Sequence, residues 1–175
     1  LYTDFYPRST KQGGAWMTSF KDQWITREGE NSRPHISLVM NFTRPTESTP
    51  ALLTYDEVET FLHEFGHALH GLMANSRYES LSGTNVYRDF VELPSQLMEN
   101  WLPEQEFLET FAHHHLTGEV LPDSLIQKIR NTQRYHVGYH CVRQLTFGML
   151  DMAWHTQTEK IEDITAFEQN AISPT

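Results

Sequence analysis

The stretch TYDEVETFLHEFGHALHGL, residues 54–72, governs the reading of the whole chain. Thr54 followed by Glu57 makes a T-x-x-E capping box, in which each side chain satisfies an orphan amide of a helical first turn. Val58, Phe61, Leu62, Phe65, Leu69 and Leu72 then recur at helical spacing and form an apolar stripe that must face a core. His63, Glu64, His67 and His70 lie off that stripe. Residues four apart are neighbours on a helix surface, so His63 and His67 can offer two imidazole nitrogens to one ion, with Glu64 projecting beside them. The five letters H-E-x-x-H alone say little: with 10 histidines in 175 residues, chance produces the pattern in roughly one such chain in twenty. Gly66 lowers helix propensity by about 1 kcal/mol relative to alanine, and close packing against another backbone would explain its presence.

Catalytic zinc usually takes three protein ligands and leaves the fourth position to water, so a third ligand is needed. His70 is too far away, since about 1.5 Å of rise per residue separates it from His63 by roughly 10 Å along the axis. Downstream, YRDFVELPSQLMENW reads as a second helical segment that carries Asp89, Glu92 and Glu99. Spacing favours Glu92, a carboxylate on the next helix after a short connection, and leaves Asp89 and Glu99 open.

Four segments, in order, carry a resemblance: FYPRSTKQGGAWM, LVMNFTRPTESTPALLTYDEVETFLHEFGHALHG, SLSGTNVYRDFVELPSQLMENW and TGEVLPDSLIQKI. Together they span nearly the whole chain, which resembles the central catalytic portion of the thimet oligopeptidase and bacterial peptidyl-dipeptidase family of zinc metallopeptidases. The KQGGAWM wording leans toward the peptidyl-dipeptidase branch. The resemblance implies one zinc ion per chain held by His63, His67 and Glu92, with Glu64 as general base. It also implies oligopeptide substrates and a zincin-like catalytic domain that is part of a larger, mostly helical enzyme. The family's Tyr and His groups beside the scissile bond lie on a segment that would follow Thr175. The chain is therefore expected to be a fragment, beginning at Leu1 and stopping at AISPT, of a zinc peptidase that hydrolyses short oligopeptides; the alternative is a piece that binds zinc but is catalytically incomplete without the rest of its parent.

Composition sets the surroundings. A chain of 175 residues with 38% hydrophobic content can bury one good core, and length points to one domain. The formal charge of −10 disfavours nucleic acid and anionic membranes as partners and leaves peptides plausible. Cys141 is the single cysteine, and no signal peptide or 18-residue apolar run is visible. A reducing cytoplasm is the expected location.

Along the chain the organisation changes once. Residues 1–53, with LYTDFY and HISLVMNF as extended runs among Gly, Pro, Ser and Thr, read as strand and loop. Residues 54–175 read as helix: Pro103 and Gly118 bracket one, Pro122 opens a long stretch to about Thr156 with a bend near Gly138, and Thr165 with Glu168 offers a capping box before Pro174. The expectation is a mainly α chain with a small β-sheet near the metal. Three consecutive histidines, His113 to His115, point in different directions around a helix and read as a polar face. His136, Tyr139 and His140 are assigned structural roles, SLSGTN a turn between helices, and FGMLDMAW a core face. A helical interaction module with an accidental H-E-x-x-H remains the competing class, and the four matching segments argue against it.

Overall fold

A computed structural model describes residues 1–173, so the proline expected to follow the last helix, Pro174, lies outside the described residues. The contacts group the chain into two compact units, Leu1–Pro122 and Asp123–Thr175.

The first unit is built on a three-stranded sheet. Strand β5 (His35–Val39) lies at its centre, parallel to β1 (Tyr2–Asp4) and antiparallel to β2 (Trp16–Lys21). Between β2 and β5, β3 (Trp24–Ile25) and β4 (Asn31–Ser32) form a short hairpin of their own. Side chains alternate across a strand, so Ile36, Leu38 and, just beyond β5, Met40 share one face, and all three are fully buried. Helix α1 (Tyr55–Leu72) covers that face, contributing Ala68 to the core, with Phe61, Phe65 and Leu72 packed around it. Phe5, Phe42 and Phe61 close the end of this core as a ring cluster with centroids 5.6–6.4 Å apart.

Both ends of α1 are held. Thr54 and Glu57 form the reciprocal capping box expected from their spacing. Glu57 also accepts hydrogen bonds from the amide and hydroxyl of Thr43, which ties the incoming loop to the first turn. At the other end the Arg33 guanidinium donates to the Leu72 and Ala74 carbonyls, placing a cation on orphan acceptors. A 3-10 turn at Glu79–Leu81 follows, and SLSGTN is indeed a turn. Gly83 there has φ +57°, and a Cβ on it would lie 3.0 Å from Gly71 Cα. Buried Gln23 pins this loop by accepting from Ser76 N and the Ser82 hydroxyl.

The segment expected as one second helix is two. Helix α2 (Arg88–Val91) ends at Glu92, and α3 (Leu93–Glu99) begins there. Pro94 has no amide to continue the α2 ladder and is well placed in the first turn of α3. The helix expected between Pro103 and Gly118 is also shorter, ending as α4 (Gln105–Leu108). Beyond it a β-bridge pairs His113 with Val120, while the amide and hydroxyl of Thr117 bond His114 Nδ1. Such side-chain bonds compete with helix, and the left-handed Gly118 (φ 73°) completes the reversal.

The second unit contains α5 (Asp123–Gln133), α6 (Val137–His155) and α7 (Ile164–Ile172). The break between α5 and α6 falls at His136, whose φ of 57° cannot continue a right-handed helix, rather than at Gly138. The cap of α7 is Asp163, which accepts from Ala166 N, in place of the Thr165 box. In FGMLDMAW, Trp154 packs on Phe167 at 4.4 Å, but Phe147 and Met152 are about half exposed, so this face is not core here. The chain is thus mainly α with a small sheet. Among the described residues, no helix is long and apolar enough to cross a membrane.

Candidate metal centre

Helix α1 buries its apolar stripe under the sheet, which turns His63, His67 and Gly66 toward α3. Gly66 is where the two helices meet: a Cβ there would lie 2.5 Å from Ser95 Cα and 2.6 Å from the Pro94 carbonyl oxygen. No side chain fits, so the backbones approach as closely as a glycine permits. That approach brings Glu92, at the junction ahead of Pro94, onto the histidines.

Glu92 Oε2 lies 3.2 Å from His63 Nε2 and 3.2 Å from His67 Nε2. The two rings are edge to face with centroids 4.9 Å apart. Ser95, fully buried, donates its hydroxyl to the same Oε2 at 2.8 Å and to the Glu92 carbonyl at 3.0 Å. The three ligand atoms lie within 4.8 Å of one another, and no other such group occurs among the described residues. Two donors each about 2.0–2.1 Å from a tetrahedral ion stand about 3.3 Å apart, so the observed 3.2 Å separations fit a zinc-sized ion. Two imidazole nitrogens and a carboxylate oxygen at that spacing present lone pairs to one point, which is favourable once a cation lies between them.

The surrounding groups fall into place around this point. Glu99 Oε1 lies 2.5 Å from His63 Nδ1, on the side of the ring away from Glu92. Glu59, one turn before His63, is held above the ordinary carboxylate range by partial burial, and further by the like charges of Glu99 and Asp56. His67 Nδ1 is buried without a hydrogen-bond partner among the described residues. Glu64, next to His63, is 9% exposed and takes no hydrogen bond or ion pair among those residues. A carboxylate kept from other partners beside two clustered histidines can accept a proton.

The other candidates stand elsewhere. Asp89 is in the first turn of α2 and does not join the group. His70 faces the Phe90 ring at 6.1 Å, and burial, then His67, lowers its pKa. His113, His114 and His115 are exposed around the β-bridge, and His136, Tyr139 and His140 are exposed at the mouth of α6. Ser95 and the pairing of Glu99 with His63 escaped the sequence reading. A buried serine three residues after Glu92 is the one local signal that could have suggested the first, since i to i+3 bonding is common at helix starts.

Residues 1–171 match the model of Peptidase family M3. The dipeptidyl carboxypeptidase of Escherichia coli is 43% identical over 174 residues, covering 98% of this chain and 25% of that protein. Oligopeptidase A of the same organism is 42% identical over 158 residues, covering 90% of this chain and 23% of that protein. Saccharolysin of Saccharomyces cerevisiae is 36% identical over 157 residues, covering 89% and 22%. The chain therefore spans about a quarter of the length of the curated relatives it matches. A family model that spans residues 1–171 establishes that the chain belongs to peptidase family M3.

Proposed function

We propose that this chain is the metal-binding portion of a zinc metallopeptidase that hydrolyses peptide bonds in short oligopeptides, as a peptidyl-dipeptidase or an oligopeptidase. The observation that carries the reading is the convergence of His63, His67 and Glu92, with Glu92 Oε2 3.2 Å from the Nε2 of each histidine. The names of the relatives support peptide substrates. An α1 helix lying under a small sheet supports a zincin-like catalytic domain. The lone Cys141 fits a reducing compartment such as the cytoplasm.

In this reading His63, His67 and Glu92 hold the ion, and Ser95 keeps the Glu92 carboxylate turned toward it. Zinc bound there would supply Lewis acidity, which polarises a peptide carbonyl and lowers the pKa of water toward about 7. Glu64 takes the proton from the attacking water and delivers it to the leaving amine. The developing oxyanion also needs hydrogen-bond donors, and loss of one such donor typically slows a reaction by about 100-fold to 1,000-fold. The groups assigned here include no oxyanion donor, so the 175-residue chain alone is expected to cleave at least about 100-fold more slowly than its longer parent.

The test is Glu64→Gln in the longer parent. Zinc should stay near one per chain while turnover falls by about 100-fold to 10,000-fold, the range for losing a general base. Normal turnover would remove Glu64 from that role. A peptide offered with a free and with an amidated C-terminus separates the two activities, because release of C-terminal dipeptides requires the free carboxylate and internal cleavage does not.

A further inference from the structure

We propose that Glu99 is a positioning residue for the metal centre: it accepts the Nδ1–H of His63 and so fixes that ring with Nε2 directed at the point shared with His67 and Glu92. This rests on the zinc reading above.

The geometry separates the two carboxylates of α3 and its N-terminus cleanly. Glu92 meets the Nε2 side of the ring at 3.2 Å, and Glu99 meets the Nδ1 side at 2.5 Å. Seven residues apart on the α3 segment, they grip one imidazole from opposite edges. A neutral imidazole has one N–H and one lone pair. With the proton donated to Glu99, the lone pair is on Nε2, where an ion would be held. Were the proton on Nε2 instead, Nδ1 and the Glu99 carboxylate would face each other as two acceptors at 2.5 Å, which is repulsive. A carboxylate on the outer nitrogen also makes the ligand more basic and stops the ring from turning.

The contrast with His67 sharpens the assignment. Its Nδ1 has no hydrogen-bond partner among the described residues, yet its side chain is only 13% exposed, so packing holds it. His63 is 27% exposed and flanks the open side of α1. A less enclosed ring has more freedom to rotate about χ2. The hydrogen bond to Glu99 removes that freedom where packing does not. Glu59 and Asp56 raise the negative potential on this side and make an N–H donor the better neighbour for Glu99.

The experiment measures zinc affinity by chelator competition in the longer parent for wild type, Glu99→Leu and Glu99→Gln. Leucine keeps bulk and removes the acceptor, whereas glutamine keeps an acceptor oxygen on a side chain of equal length. Glu99→Leu should weaken zinc binding by about 10-fold to 100-fold, the usual cost of losing such a partner. Glu99→Gln should recover most of the loss, and the metal-free proteins should melt at similar temperatures. Equal affinity for wild type and Glu99→Leu overturns the proposal, as does equal loss in both variants. Should Glu99→Leu fail to fold, zinc-loaded wild type labelled with 15N at histidine decides. A His63 Nδ1–H that exchanges slowly supports the bond to Glu99, and one that exchanges as fast as an exposed imidazole overturns it. Wild type that takes up no zinc at all defeats the underlying zinc reading instead, so the two failures are distinguishable.

Discussion

Helices α1 and α6 are nearly equal in length, 18 and 19 residues, and each is associated with two histidines four positions apart: His63 and His67 in one, His136 and His140 at the start of the other. Each also has glycine in its interior. Their surroundings differ completely. Five residues of α1 are buried, among them Leu62, Glu64 and Gly66, whereas α6 buries none. A Cβ on Gly66 would strike Ser95 and the Pro94 carbonyl, while one on Gly138 or Gly148 would meet nothing within 4 Å. Two histidines at helical spacing supply two ligands at most. The third candidate ligand comes from a separate element, and it reaches the histidines of α1 because a glycine admits the backbone that carries it.

The sharpest way to break this comparison is to remove one histidine from each helix. His67→Ala in the longer parent should abolish both zinc retention and peptide cleavage, measured by metal content and a quenched peptide, whereas His140→Ala should leave both unchanged. A loss with His140→Ala would mean that α6 contributes to the site after all.

Alanine at the two glycines tests the packing. Gly66→Ala forces a methyl into backbone at 2.5 Å, and overpacking of this kind costs about 1–3 kcal/mol. Denaturant midpoints should record that loss, with zinc affinity falling as Glu92 is pushed away. Gly148→Ala meets open space and should gain up to about 1 kcal/mol from helix propensity. A comparable loss at Gly148 in the longer parent would reveal another segment packed against α6 there.

A smaller effect belongs to the helix starts. Thr54→Ala removes the side-chain cap of α1 and should cost about 1 kcal/mol by denaturant unfolding. Asp163→Ala, at the start of α7, should cost a similar amount. A negligible change at Thr54 would show that the Glu57 contacts to Thr43 hold the first turn by themselves.

The smallest effect is in acid. Burial alone would raise the Glu57 pKa, but its hydrogen bonds from the Thr54 and Thr43 amides and hydroxyls outweigh burial and bring it below 4.5. A carboxylate with a depressed folded pKa contributes stability that is present above the unfolded value and lost as pH falls through the folded one. Wild type should therefore lose stability over that window beyond what Glu57→Gln loses. Identical acid profiles for the two would remove Glu57 from the acid sensitivity of α1.

Much of the site was legible because its first half is local. Thr54, Glu57 and the apolar stripe place α1 to within a residue, and i to i+4 spacing alone makes His63 and His67 neighbours with Glu64 adjacent. Where reading failed, long-range packing or local side-chain bonding decided. Phe147 and Met152 look like core by composition, yet burial requires a partner surface, and they stay about half exposed while Trp154 of the same helix packs on Phe167. Past Leu108, the bonds of Thr117 to His114 favour a reversal over continuing helix.

The sequence by itself determined the capped helix and the paired histidines, because these depend on spacing along one segment, and four matching segments along the chain carried the resemblance to the family. Spacing favoured Glu92 and the resemblance implied it, but with Asp89 and Glu99 on the same short stretch spacing left those two open. Only the tertiary structure separated them. Gly66 lets α3 settle onto α1, Pro94 breaks the preceding helix at Glu92, and the resulting crossing puts Glu92 on the Nε2 edge of His63 and Glu99 on its Nδ1 edge. The physical reason is steric: the contact depends on the absence of a Cβ on one helix and the path of a backbone on another, and residue spacing along one segment cannot specify how two segments cross.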